Sequence, residues 1–143
     1  MYESLTKYLL EFPSDEKGMW IIDKENDGTL EHPIQMPYVK YSRRVRDFTD
    51  DVYSFVDKHE EMGLRSYAEI LKENGIEWGM DSMSTAAVKN LNAKCVIAMI
   101  LGAVRAERFC DGALLGFFEN GSIARWIERL KKLDTDGENI VAK

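Results

Sequence analysis

The chain has 143 residues, 45% hydrophobic and 31% charged, with a formal net charge of −6. That is one globular domain with a real core, neither a disordered segment nor a chain of several domains. The acidic balance speaks against broad nucleic-acid binding, which needs clustered Lys and Arg. The longest apolar run, Cys95–Val104, falls far short of the roughly 20 residues of a membrane span.

In chain order, Leu5, Tyr8, Leu9 and Phe12 fall on one face of a helix over residues 2–12, which Pro13 and Ser14 end. Met19–Ile22, then Asn26-Asp-Gly28, then Thr29-Leu30 suggest a small β-hairpin around an Asp-Gly turn. Pro33 and Pro37 interrupt regular structure, so a helix starts only near Tyr38. Tyr41, Val45, Phe48, Val52, Phe55, Val56 and His59 recur at intervals of three and four, an amphipathic helix. A shorter helix runs from about Leu64 to Asn74, with Leu64, Tyr67, Ile70 and Leu71 inward. Gly75 fits the left-handed position past its end, and Ile76 the hydrophobic contact that follows.

Asp81 and Ser84 are placed to cap one helical turn, and Asn92 to cap the helix from Ala93. That helix is apolar all round, which predicts a central position among the others. Asp111 is placed to cap a short helix through Ala113, Leu114 and Phe118. Asn120-Gly-Ser122 launches the last helix, whose Ile123, Trp126, Ile127 and Leu130 face inward. The expected fold is mainly α: a compact single-domain helical bundle over 1–133 around one buried central helix, with a small N-terminal β-hairpin. Residues 134–143 read as a polar, fraying tail.

The chemistry concentrates in Arg105-Ala-Glu-Arg-Phe-Cys-Asp-Gly112, directly after the apolar run. Cations at a helix C-terminus face exposed carbonyls and gain roughly 0.3–1 kcal/mol each. Arg105 and Arg108 are neighbours on one face, and Arg108 pairs with Asp111 if the helix continues. Glu107 points elsewhere unless another element brings it a partner. One reading is a structural clamp. The other is a ligand site of Arg105, Glu107, Arg108 and Asp111, whose guanidiniums hold a small anion or an acidic peptide.

The remaining motifs read more plainly. Tyr38–Arg46 interleaves tyrosines with basic residues, but Asp47, Asp50 and Asp51 follow. Arg43–Asp47 and Arg46–Asp50 are i,i+4 pairs, so a solvated, self-paired face is expected rather than a nucleic-acid site. His32 and His59 have no partners at ligand spacing, which predicts no metal. A Cys110–His pair would need long-range folding, no Gly-rich phosphate loop is present, and no cofactor is implied. Trp78, between Gly75 and Gly79, reads as core or cleft wall. Cys95 and Cys110 are two free thiols and no leader sequence is visible, which point to a reducing cytoplasm.

The Arg105–Gly112 segment with Ala113-Leu-Leu115, Asn120-Gly-Ser-Ile123 and Trp126-Ile-Glu-Arg-Leu130 resembles a bacterial family of unknown function, domain of unknown function six-five-zero-eight. Trp20–Gly28 and Trp78–Met83 share the resemblance, which thus covers most of the chain. It implies a cytoplasmic bacterial protein and assigns no activity. The residues favour a binding or interaction module. A hydrolase-like enzyme using Glu107 or Asp111 with arginine support is the alternative, and an assembly protein with the cluster as a folding clamp is another. The aromatic and apolar content also suits a dimer.

Overall fold

The computed structural model describes residues 1–12 and 16–135, and the backbone of 136–141. Pro13 and Ser14, expected to end the first helix, lie outside the described residues. The first helix is short: α1 spans Glu3–Thr6 and tightens into a 3₁₀ turn over Lys7–Leu9. It still buries Leu5, Tyr8 and Phe12. Phe12 meets Phe48 and Phe118 edge-on, with ring centroids 5.2 and 4.9 Å apart.

A hairpin forms, with a different partner strand from the one expected. β1 (Gly18–Ile21) pairs antiparallel with β2 (Tyr38–Tyr41), Gly18 opposite Tyr41 and Trp20 opposite Val39. Thr29 and Leu30 are not in the ladder. The reason is Asp23, whose carboxylate accepts the backbone N–H groups of Glu25, Asn26 and Gln35. These bonds, that from Gln35 foremost, hold its carboxyl well below the usual range. They tie residues 23–35 into a loop, and Gly28, at φ 87°, closes a local turn onto His32 instead of reversing a strand.

Tyr41 therefore ends a strand and is not part of the following helix. The β-branched and aromatic Tyr-Val-Lys-Tyr run suits a pleated surface. α2 spans Arg43–Lys58, capped by Ser42, whose Oγ accepts from the Val45 N–H at 3.2 Å. Its buried stripe is Val45, Phe48, Val52, Phe55 and Val56. α3 (Tyr67–Glu73) ends as its sequence indicates. Gly75 sits at φ 75°, its N–H reaches Lys72 O, and the Ile76 N–H reaches Leu71 O. Both Ile76 and Leu71 are buried beneath this double bond.

α4 (Met80–Thr85) starts at Gly79 with no side-chain cap, so neither Asp81 nor Ser84 has the expected role. α5 (Ala93–Ala106) is capped by Asn92, which accepts from the Cys95 N–H at 2.9 Å. Every residue from Cys95 to Val104 is buried, and α2, α3, α6 and α7 all pack on it. α6 spans Ala113–Glu119, and its N-terminal flank is Gly112 at φ 89°, not Asp111. α7 (Ser122–Val141) buries Ile123, Trp126, Ile127 and Leu130. It continues through Asp134, whose carboxylate accepts from the Met1 amine at 3.0 Å and the Tyr2 N–H at 3.2 Å. The protein is thus mainly helical around a buried central helix, with one small antiparallel sheet. No helix among the described residues is long and apolar enough to cross a membrane.

Candidate functional site

The helix that carries the charged segment stops at Ala106. From there the chain tightens, with the Arg108 N–H on Arg105 O at 3.1 Å and the Cys110 N–H on Ala106 O at 3.0 Å. This turn sends Glu107, Arg108 and Asp111 in separate directions. Arg108 and Asp111 lose the helical register that would pair them, and no ion pair joins them among the described residues. Asp111 is exposed.

Glu107 finds its partners on distant elements. Its Oε1 accepts from the Tyr41 hydroxyl at 2.5 Å, across 66 residues of sequence, and from the Leu114 N–H at 3.0 Å. The Gly112 N–H reaches both carboxylate oxygens, at 3.1 and 3.0 Å. The Tyr41 oxygen in turn accepts from the Leu115 N–H at 2.9 Å. The Leu114 and Leu115 N–H groups in the first turn of α6 are thereby satisfied by one carboxylate and one phenol, and the negative charge sits at the favourable helix end. Burial, then the adjoining Glu107, pushes the Tyr41 phenol far above its ordinary range. Glu107 is the clamp of this corner, and both its oxygens are engaged.

Arg105 and Arg108 line two neighbouring clefts in the furrow between α2 and α5, with Tyr53 as the wall they share. The Arg108 cleft holds about 560 Å³ and is walled by Val45, Val104 and Leu114, with Arg46, Thr49 and Asp50 along α2. Neither Arg46 nor Arg108 has a side-chain partner among the described residues, and both are exposed. The expected Arg46–Asp50 and Arg43–Asp47 pairs do not form there. The Arg105 cleft is smaller, about 270 Å³, and includes Tyr67, Leu101, Asp57 and Arg65. Arg65 bridges Asp57 at 2.5 Å. Arg105 instead faces the Tyr67 and Tyr53 hydroxyls, whose hydrogen bonding, Tyr67 first, raises its pKa further above an already high value.

The four candidate residues Arg105, Glu107, Arg108 and Asp111 are thus not brought together at one place. Arg105 lines the smaller cleft, Arg108 and Glu107 line the larger, Glu107 with both oxygens already bonded, and Asp111 lines neither. Arg46, Thr49 and Tyr53 line the clefts without having been candidates, although the sequence carries a signal for it. Arg46, Thr49/Asp50, Tyr53 and Asp57 form a stripe at helical spacing on α2, matched by Leu101 and Val104/Arg105 on α5 and by Arg108 in the turn after it.

Other candidate chemistry is sparse. Among the described residues no three His, Cys, Asp or Glu side chains lie close enough to share a metal ion. Cys95 is buried, which raises its thiol pKa, and Cys110 is exposed; neither is in a disulfide. His59 stacks on Phe55 with centroids 4.2 Å apart and meets Glu61 at 3.1 Å. Comparison with curated proteins and with solved structures finds no match. Residues 2–136 match the model of a family of unknown function, DUF6508, a span that takes in the Tyr41–Glu107 clamp and both clefts, and the chain belongs to that family.

Proposed function

We propose that the protein is a binding module for a small carboxylate with an apolar body, held in the cleft of Arg46 and Arg108. The observation that carries this reading is the pair of guanidiniums, from α2 and from the turn after α5, that share a cleft without a protein partner. Planar guanidinium forks suit a carboxylate, which takes two parallel N–H bonds from each. Val45, Val104 and Leu114 offer apolar wall for the rest of the ligand.

Asp50 refines the ligand. Its carboxylate lines the same cleft and has no partner among the described residues, so it welcomes an ammonium beside the bound carboxylate. Two free cations and one free anion fit an amino acid better than an inorganic anion. Catalysis is not part of the proposal: Glu107 is bonded through both oxygens, and Asp50 is assigned to the ligand's ammonium. The two unbridged thiols suit a reducing cytoplasm.

The test is calorimetric titration with a panel of free amino acids and matched carboxylates lacking the amine. Binding to the wild type should fall at least tenfold in Arg108→Ala and in Arg46→Ala, the loss of a charged hydrogen-bond pair. Asp50→Asn should erase the preference for amino acids. If Arg108→Ala binds like the wild type, or no carboxylate binds at all, the reading fails.

A further inference from the structure

The Arg105 cleft is built differently from its neighbour. Three elements meet there: α2 brings Tyr53, the start of α3 brings Tyr67, and the last turn of α5 brings Arg105. The tyrosine from α3 is held by an aromatic stack. Tyr67 meets Trp78 edge-on at 5.4 Å, and Phe109 meets Trp78 at 5.6 Å. Trp78 is itself anchored, its Nε1 donating to Gly102 O at 2.9 Å. The absence of a side chain at Gly102 permits this approach, since an added Cβ would lie 3.2 Å from the indole. The stack explains why Trp78 and Phe109 are spent at the surface: together they fix where the Tyr67 hydroxyl stands.

The donors and acceptors of the cleft can then be counted. A guanidinium has donors and no acceptor. Arg105 shares the cleft with Tyr67 and Tyr53, so it leaves each phenol its own O–H to donate, and neither hydroxyl donates to a protein acceptor among the described residues. Asp57 is the carboxylate of this cleft, and Arg65 holds it at 2.5 Å. No carboxylate lies within ion-pair distance of Arg105 among the described residues. The cleft is left with one unneutralised guanidinium and two spare hydroxyl donors over the apolar Val56 and Leu101.

We propose that Arg105, Tyr53 and Tyr67 form a second, separate site that takes a phosphoryl group. Three donor groups arriving from three elements match the three terminal oxygens of a tetrahedral oxyanion, where a planar carboxylate offers two. About 270 Å³ accommodates the group itself with the remainder of any ester outside. The site does not depend on the ligand assigned to the Arg46–Arg108 cleft.

The experiment is a titration of the full chain with inorganic phosphate, with glycerol phosphate and with acetate, followed by calorimetry and by phosphorus NMR linewidth. Phosphate should bind the wild type and weaken at least tenfold in Tyr67→Phe and in Arg105→Gln, while Arg108→Ala leaves it unchanged. Tyr67→Phe keeps the ring against Trp78, and its melting point, measured alongside, shows that it folds. Glycerol phosphate binding more tightly than phosphate identifies an ester as the ligand, and equal binding identifies free phosphate; both support the site. The proposal is overturned if phosphate does not bind, if Tyr67→Phe and Arg105→Gln bind it as the wild type does, or if acetate competes equally. Loss of phosphate binding in Arg108→Ala also overturns it, by moving the anion to the neighbouring cleft. Failure of the amino-acid titration with phosphate binding intact would remove only the earlier reading.

Discussion

Glu107→Ala takes the acceptor away from three donors at once: the Tyr41 hydroxyl and the N–H groups of Gly112 and Leu114. A hydrogen bond to a charged group contributes about 1.5–3 kcal/mol net when its partner is left stranded. Glu107 is only half-buried, so water re-solvates part of this corner and the three terms do not sum in full. We expect a cost of about 3–4 kcal/mol. At about 2–4 °C per kcal/mol for a domain of this size, the melting midpoint falls by about 6–16 °C. Glu107→Gln keeps an oxygen for Tyr41 and Leu114 but loses the charge at the start of α6 and turns an amide N–H₂ toward Gly112, for about 1–2 kcal/mol. Tyr41→Phe and Glu107→Ala remove the same bond, so the double variant should cost at least about 0.5 kcal/mol less than the sum of the two. Urea and thermal unfolding followed by circular dichroism measure the wild type and the four variants. A Glu107→Ala protein within about 0.5 kcal/mol of wild type, or strict additivity with Tyr41→Phe, refutes the clamp.

Three further outcomes follow from the same geometry. Gly112 holds φ 89°, and a Cβ there would lie 2.3 Å from Trp20 Cζ2; Gly112→Ala should cost at least about 1–2 kcal/mol in backbone strain and displace the indole. Fluorescence compared in Trp20→Phe and Trp20→Phe/Gly112→Ala isolates that displacement, and an unchanged Trp20 contribution contradicts it. Asn92→Ala removes the acceptor for the Cys95 N–H and should lower stability by about 1 kcal/mol, with Asn92→Asp far milder; equal losses in chemical denaturation argue against the cap. The folded-state pKa of Tyr41 is raised by burial and by Glu107, so its contribution to stability is fully present below the unfolded phenol value near 10 and is lost as pH rises through the folded value. Stability measured against alkaline pH should decline less steeply in Tyr41→Phe, and a parallel decline counts against this linkage.

What was legible in the sequence was local. The central helix announces itself because Cys95–Val104 offers no polar face to water, and such a helix has only one place to go. The end of α3 is readable because Gly75 and Ile76 meet the backbone and packing needs of one motif. The hairpin partner was not legible, because Asp23 decides it by reaching Gln35, and a long loop shows no turn signature. Glu107 was undecidable for the same reason, its main side-chain partner being Tyr41, 66 residues away. Spacing alone pairs Arg46 with Asp50, yet Arg preceding Asp is the weaker orientation for the helix dipole. In the folded chain both side chains line a cleft.

In the function we propose, one turn of chain divides its labour: Glu107 holds the fold and Arg108 the ligand. The measurement that tests it most directly is a thermal-shift screen of amino acids and carboxylates on the wild type, Arg108→Ala and Glu107→Gln. A ligand specific for the folded state raises stability by about 2.7 kcal/mol at a hundredfold excess over its Kd. We predict that Arg108→Ala melts within about 0.5 kcal/mol of wild type and gains nothing from the ligand, while Glu107→Gln melts earlier and still gains. An Arg108→Ala protein that melts far below wild type, in a screen where no carboxylate stabilises either protein, would show that the arginine too belongs to the clamp.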